Sequence, residues 1–200
     1  MGKKNWADTD DAVAMYAHLD RHTRGLPDRK FRLLYAAVIQ AKWGSLLTPA
    51  GRRVLAAVEN VADGRSHPVG GKVQVALFDP NAPAWAEKCL TTALGDEAWL
   101  LRRPAVDGFL GRRDPVASAL LRDVFGRPFG RGPFHPAWRT ADAIGLARAI
   151  YDDGAFDRLP ILADALLDAG CDDDDILNHC RGAGPHVRGC WVVDLVLDKE

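Results

Sequence analysis

The sequence lacks any charge-free apolar run of about 18 residues, which is the length that a transmembrane helix needs. Its most apolar stretch, residues 33–39, is far shorter. The first residues carry Lys3 and Lys4 but no following apolar region, so we expect no secretory signal. These absences argue against a membrane protein and favour a cytoplasmic one.

Cysteine is also scarce, with four residues in a chain of 200. A secreted disulfide scaffold is shorter and richer in cysteine, so we expect reduced thiols in a cytoplasmic compartment. Cys89 stands alone, whereas Cys171, Cys180 and Cys190 fall within twenty residues of one another.

Several common catalytic motifs are missing. The chain contains no Gly-x-x-x-x-Gly-Lys, Gly-x-Gly-x-x-Gly or His-Glu-x-x-His pattern. The acidic run 172–175 does not begin a calcium-binding loop, because Leu177 stands where such a loop needs glycine and Ala183 where it needs glutamate. Helix capping explains this run better. The commonest nucleotide-binding and zinc-hydrolase classes are therefore excluded, and an enzyme is not favoured.

Charge is present in both signs but is segregated along the chain. The net charge is −1, yet residues 1–139 carry +7 and residues 140–200 carry −8. The acidic end can pack against the basic part, which we favour, or a basic face can attract a nucleic acid or an acidic protein.

Apolar residues recur at helical spacing through most of the chain, and proline or glycine separates the segments. The pattern predicts a mainly α-helical, compact bundle of about seven to nine short helices with at most a minor strand pair. We expect a strand or an extended segment at 72–78, and a helix rather than a strand at 187–197. The predicted helices cover 8–23, 28–47, 49–64, 82–101 with an interruption at Gly95, 115–125, 141–152, 160–169, 173–181 and 187–197. Thr48 followed by Pro49, Thr140 and Asp172 are the predicted N-terminal caps of the helices that start at 49, 141 and 173.

Composition divides the chain into three parts. Residues 1–103 are helical, residues 104–139 hold ten Gly or Pro among arginines and aromatics, and residues 140–200 are acidic and helical. We expect the first and last parts to pack as one globule.

Potential metal ligands are concentrated near the C-terminus. Thiolates and neutral imidazoles are the usual zinc ligands, but no Cys-x-x-Cys pair is present. If 187–197 is helical, His186, Cys190 and Asp194 would share one face. Small buried cysteines with ordinary histidines are the favoured interpretation, and zinc is the alternative; a catalytic Cys/His pair is disfavoured. The candidate ligands are Cys171, His179, Cys180, His186 and Cys190.

Aromatic and arginine residues alternate over 122–139. Such interleaving can stack and neutralise a single nucleic-acid strand, or it can anchor a glycine-rich loop through its rings, which we favour. The candidate binding residues are Arg127, Phe129, Arg131, Phe134 and Trp138.

Several segments of the C-terminal third resemble the tail of a large paralogous family of uncharacterised bacterial proteins. They include Leu146-Ala-Arg-Ala-Ile-Tyr-Asp, Phe156-Asp-Arg-Leu-Pro-Ile-Leu-Ala-Asp-Ala-Leu, Ala169-Gly-Cys-Asp and Gly184-Pro-His-Val-Arg-Gly-Cys-Trp-Val-Val-Asp. The resemblance implies a helical cytosolic protein and brings no activity, cofactor or catalytic residue. Where the family usually has cysteines and arginines, this chain has Ala36, Ala37 and Val38.

The sequence thus favours a non-catalytic adaptor whose partner is another protein and which needs no cofactor. Two alternatives stay open: a zinc-stabilised C-terminal module, and a nucleic-acid binder that uses residues 122–139.

Overall fold

A computed structural model of the chain describes residues 1–22, 28–66, 75–95, 109–126 and 134–199. It divides into two compact units, Met1–Leu121 and Arg122–Glu200. The described residues form ten α-helices and three short 3-10 helices, and their only β pairing is an isolated bridge between Leu47 and Phe78. The predicted mainly α-helical class is confirmed.

Unit 1 contains five helices and most of a sixth. The first, α1, was not predicted, because its six residues are too few to show a helical period; it buries Trp6. The helix predicted at 82–101 begins at Ala84 and ends at Leu94, where the interruption at Gly95 was predicted. Residues 96–101 lie outside the described part of the chain, as do residues 72–74 of the predicted strand or extended segment. The helices are α1 Lys3–Asp8, α2 Ala12–His22, α3 Asp28–Trp43, α4 Pro49–Ala62, α5 Ala84–Leu94 and α6 Pro115–Phe125.

The core of unit 1 forms around α3, which packs against α4 and α5. Helix α4 starts where the sequence predicts, with the Thr48 side chain accepting a hydrogen bond from the Gly51 amide and Pro49 in the first turn. The ring of Tyr35 stacks on that of Phe109 at a centroid distance of 4.1 Å. The apolar periodicity of α3 predicts one buried face of six residues. Trp43 of this set is only partly buried, and the other five are buried: Phe31, Leu34, Tyr35, Val38 and Ile39.

Unit 2 contains the end of α6 and four further helices. Helix α8 packs against α7 and α9, and α10 packs against α7. The preference for a helix at 187–197 is confirmed, but the helix begins only at Trp191, because a turn closed by the hydrogen bond from the Cys190 amide to the Val187 carbonyl precedes it. The helices are α7 Ala141–Asp153, α8 Leu159–Asp168, α9 Asp174–Arg181 and α10 Trp191–Leu197.

Helix ends in unit 2 follow capping chemistry. The Thr140 hydroxyl caps α7, as predicted, by accepting from the Ala143 amide. The cap of α9 is Asp173 rather than the predicted Asp172; its carboxylate accepts from the amides of Asp175 and Ile176. The Asp173 cap fixes where α9 begins, and hence which residues of α9 face the site described below.

No helix in the described ranges is both long and apolar enough to cross a membrane.

Candidate metal centre

Four side chains of unit 2 bring one potential ligand atom each to a common point. Asp123 comes from α6, His179 from α9, His186 from the turn after α9, and Cys190 from the residue before α10. Their ligand atoms all lie within 4.8 Å of one another. Asp123 and Cys190 are buried, and the two histidines are partly buried.

Helix geometry separates His179 from its neighbour Cys180. Adjacent residues of an α-helix point about 100° apart, so only one of the two can face the cluster. His179 does, and Cys180 lies instead in the apolar core of unit 2 together with Cys171. Burial raises the pKa of the Cys180 thiol to about 12 and also raises the pKa of Cys171. Cys190 also borders this core, but it belongs to the converging group of ligand atoms and the other two cysteines do not. Cys171 and Cys180, two of the candidate ligands, therefore pack as apolar residues.

Asp123 is the centre of the cluster. Its Oδ2 atom accepts the amide N–H of Val187 at 2.9 Å. Its Oδ1 atom lies 2.8 Å from Nδ1 of His186 and 3.1 Å from Nε2 of His179. Burial alone would raise the pKa of the Asp123 carboxyl, but the hydrogen bonds and charges of His179 and His186 outweigh burial and lower this pKa.

The second nitrogen of His186 fixes which atom faces the cluster. Nε2 lies 3.2 Å from the carbonyl oxygen of Gly182, which can only accept a hydrogen bond, so Nε2 carries a proton. Nδ1 then faces Oδ1 of Asp123. Burial lowers the pKa of His186, but the hydrogen bond and the charge of Asp123 raise this pKa by more than burial lowers it. The net shift of the His186 pKa is upward. A proton on Nδ1, which makes His186 an imidazolium paired with Asp123, satisfies this contact; a metal ion that displaces the proton is the alternative.

Cys190 completes the group. Its Sγ atom lies 3.2 Å from Nε2 of His179, and the side chain is fully buried. Burial and the nearby Asp123 carboxylate raise the pKa of the Cys190 thiol. A metal ion is the common means by which a buried thiol is held as a thiolate.

This arrangement differs from a catalytic triad. In a triad the histidine uses one ring nitrogen toward the nucleophile and the other toward the carboxylate. Here the same Nε2 atom of His179 faces both Cys190 and Asp123. Asp123 therefore does not orient the His179 ring from its far side, and the raised pKa of Cys190 opposes its use as a nucleophile.

Asp123 was missed by the sequence analysis because it lies 63 positions before His186. Its one local signal is that an acidic residue interrupts the apolar run of α6, between the buried pairs Leu120–Leu121 and Val124–Phe125. Conversely, Asp194 does not join the cluster. The predicted shared face of His186, Cys190 and Asp194 is wrong, because the helix begins after the first two.

The aromatic and arginine segment is described only in part. Arg127, Phe129 and Arg131 lie outside the described residues. Phe134 and Trp138 pack against the core of unit 2.

The polar groups of this segment are also engaged. The Trp138 indole donates to the Gly170 carbonyl at 3.1 Å. The guanidinium of Arg139 donates to the Leu195 carbonyl and to the Asp198 carboxylate. These contacts anchor residues 134–139; for residues 127–133 the anchoring interpretation stays a prediction.

Comparisons with protein-family models, with curated proteins and with solved structures find no significant match. The resemblance noted in the C-terminal third therefore stays a prediction, and the chemistry of the Asp123, His179, His186 and Cys190 cluster carries the functional argument.

Proposed function

We propose that unit 2 is a zinc-binding module whose ion is held by Asp123, His179, His186 and Cys190. The observation that carries the proposal is the convergence of their four ligand atoms within 4.8 Å. The hydrogen bond that Nε2 of His186 donates to the Gly182 carbonyl supports it, because a partner on the far nitrogen of a histidine is the usual way in which a metal ligand is oriented.

The donor set suits zinc. Thiolate and imidazole favour zinc over calcium and magnesium, which take oxygen ligands. A divalent ion together with one thiolate, one carboxylate and two neutral imidazoles makes a complex of zero net charge. Such a complex is favoured where Asp123 and Cys190 are buried, because an uncompensated charge is costly in a medium of low dielectric constant.

The spacing of the donors is compatible with a tetrahedral ion. Zinc bonds of about 2.0–2.3 Å place neighbouring ligand atoms about 3.3–3.8 Å apart in a tetrahedron. Oδ1 of Asp123 lies 2.8 Å from Nδ1 of His186 and 3.1 Å from Nε2 of His179, and Sγ of Cys190 lies 3.2 Å from the same Nε2, all slightly below this range. The upper limit of 4.8 Å on the separations among the four ligand atoms lies above the range. Side-chain adjustments of about 1 Å or less accommodate the ion.

Metal analysis of the untagged protein tests the proposal. We expect about one zinc ion per chain after growth with zinc and gel filtration, because structural sites of this kind bind tightly. Less than about 0.2 zinc per chain would exclude a tight site.

Cys190→Ala and Cys180→Ala form a matched pair, since both cysteines are fully buried in the same unit. We expect Cys190→Ala to lose the zinc and Cys180→Ala to keep it. His179→Ala and the exposed His135→Ala give a second pair of the same kind. Equal loss or equal retention within each pair would contradict the proposed ligand set.

The adaptor role, the protein partner and the cytoplasmic location stay predictions from the sequence.

A further inference from the structure

We infer that the metal site is closed: the protein fills all four coordination positions, and none is left for a substrate. The ion would then cross-link three segments, which are α6, α9 and the turn between α9 and α10. This inference rests on the proposed zinc function and deepens it. Catalytic zinc sites keep one position for water or substrate, whereas structural sites have four protein ligands.

Asp123 and His186 each have only one atom available to face the ion. Oδ2 of Asp123 is held by the Val187 amide, so the carboxylate offers Oδ1 alone. Nε2 of His186 is held by the Gly182 carbonyl, so its imidazole offers Nδ1 alone. Asp123 is therefore assigned as a monodentate fourth ligand, in the position that water occupies in a catalytic site.

Access to the cluster is restricted. The side chains of Asp123, His186 and His179 are 2%, 10% and 17% exposed, and Cys190 is fully buried. The indole of Trp191 lies against the His179 ring at a centroid distance of 5.2 Å. A bound hydroxide would also make the neutral complex negative in this buried setting, which disfavours it.

The ligands are placed so that the ion fixes the turn between α9 and α10. His179 precedes this turn, His186 lies within it and Cys190 ends it. Residues 182–185 of the turn are exposed. Asp123 joins this turn to α6 from 63 positions earlier in the chain. Cross-links that close long loops restrict the unfolded chain most strongly.

Cobalt(II) is the probe for this inference, because it replaces zinc and absorbs light. Tetrahedral cobalt gives intense visible bands, five- or six-coordinate cobalt gives weak ones, and a thiolate ligand adds a charge-transfer band in the near ultraviolet. We expect the wild-type protein to show the intense visible bands and the thiolate band. We also expect that added azide, a small ligand for open positions, leaves the spectrum unchanged.

Asp123→Asn supplies the positive control for an open position. Loss of the carboxylate weakens the fourth ligand, and azide should then shift the visible bands of the variant. Asp164→Asn, at an exposed carboxylate paired with Arg181, should behave as the wild type. If Asp123→Asn does not fold, the azide test on the wild type still decides whether the site has an open coordination position.

The outcomes separate the two proposals. Absence of cobalt and zinc binding would overturn the proposed function. Binding with weak visible bands, or with wild-type bands that azide shifts, would leave the metal function standing and overturn the closed site. Unchanged amide hydrogen exchange over residues 182–190 on zinc addition would overturn the cross-link.

Discussion

Nδ1 of His186 lies 2.8 Å from Oδ1 of Asp123, although the two residues are 63 positions apart in the sequence. The opposite nitrogen of the imidazole is committed to the Gly182 carbonyl. The 2.8 Å contact therefore needs a proton on Nδ1 in the metal-free protein. Cys190 and His179 bring a thiol and a second imidazole to the same point, and this donor set is typical of zinc sites.

Zinc should stabilise the folded protein. A ligand that binds only the native state adds about 4 kcal/mol at a free concentration 1,000 times its dissociation constant. We expect the melting temperature to rise with added zinc and to fall with a chelator in the wild type and in Cys180→Ala. Scanning calorimetry of Cys190→Ala should show no zinc response, and a response equal to that of the wild type would count against Cys190 as a ligand.

The metal-free protein should have a pH dependence set by the Asp123–His186 pair. The pKa of His186 is raised from 6.5, so its contribution is complete below pH 6.5 and is lost as pH rises through the folded-state pKa. The pKa of Asp123 is lowered from 3.8, so its contribution is present above pH 3.8 and is lost as pH falls through the folded-state pKa. The pair therefore contributes most to the free energy of unfolding between pH 3.8 and pH 6.5.

Urea unfolding of chelator-treated protein between about pH 5 and pH 8 measures this dependence. The difference in free energy of unfolding between the wild type and His186→Asn should shrink as pH rises. His135→Asn, at an exposed histidine of the same unit, should show no such trend. A difference that stays constant for His186→Asn would mean that the ion pair does not form.

Gly126→Ala should destabilise unit 2. Gly126 has φ +58°, and an added Cβ would lie 2.6 Å from the Trp191 ring, which itself contacts His179. Backbone strain and the steric clash together should cost about 1–3 kcal/mol. Urea unfolding checks the loss against Gly145→Ala, where an added Cβ meets no atom within 4 Å. Equal stability of the two variants would contradict the packing of the Trp191 ring against Gly126.

Thr140→Ala separates general stability from metal binding. Loss of the hydroxyl that accepts from the Ala143 amide should lower the free energy of unfolding by about 1 kcal/mol. Thr140 lies outside the ligand cluster, so the zinc content should stay unchanged. A loss of zinc in proportion to stability would show that metal content merely reports folding, and would weaken every ligand assignment made from content alone.

The sequence predicts the helices better than it predicts the site, for physical reasons. Helix signals are local: Thr48 followed by Pro49 marks the start of α4, and Thr140 marks the start of α7. The helix at 187–197 could be predicted from its neighbours, but its start at Trp191 depends on the turn before it.

The site depends on side-chain direction and on contacts between distant positions. His179, His186 and Cys190 were candidate ligands in the zinc alternative, and the structure brings their donor atoms together. Cys180 was grouped with them because spacing alone does not give the rotation of α9. Asp123 could be located only by the packing of α6 within unit 2. The predicted packing of the basic and acidic parts as one globule stays a prediction.

The most direct test of the metal assignment is a crystal structure with diffraction data collected on both sides of the zinc absorption edge. The account predicts one anomalous peak bonded to Oδ1 of Asp123, Nε2 of His179, Nδ1 of His186 and Sγ of Cys190. A zinc-loaded crystal with no peak at this position, or with its peak at Cys171 and Cys180, would contradict it.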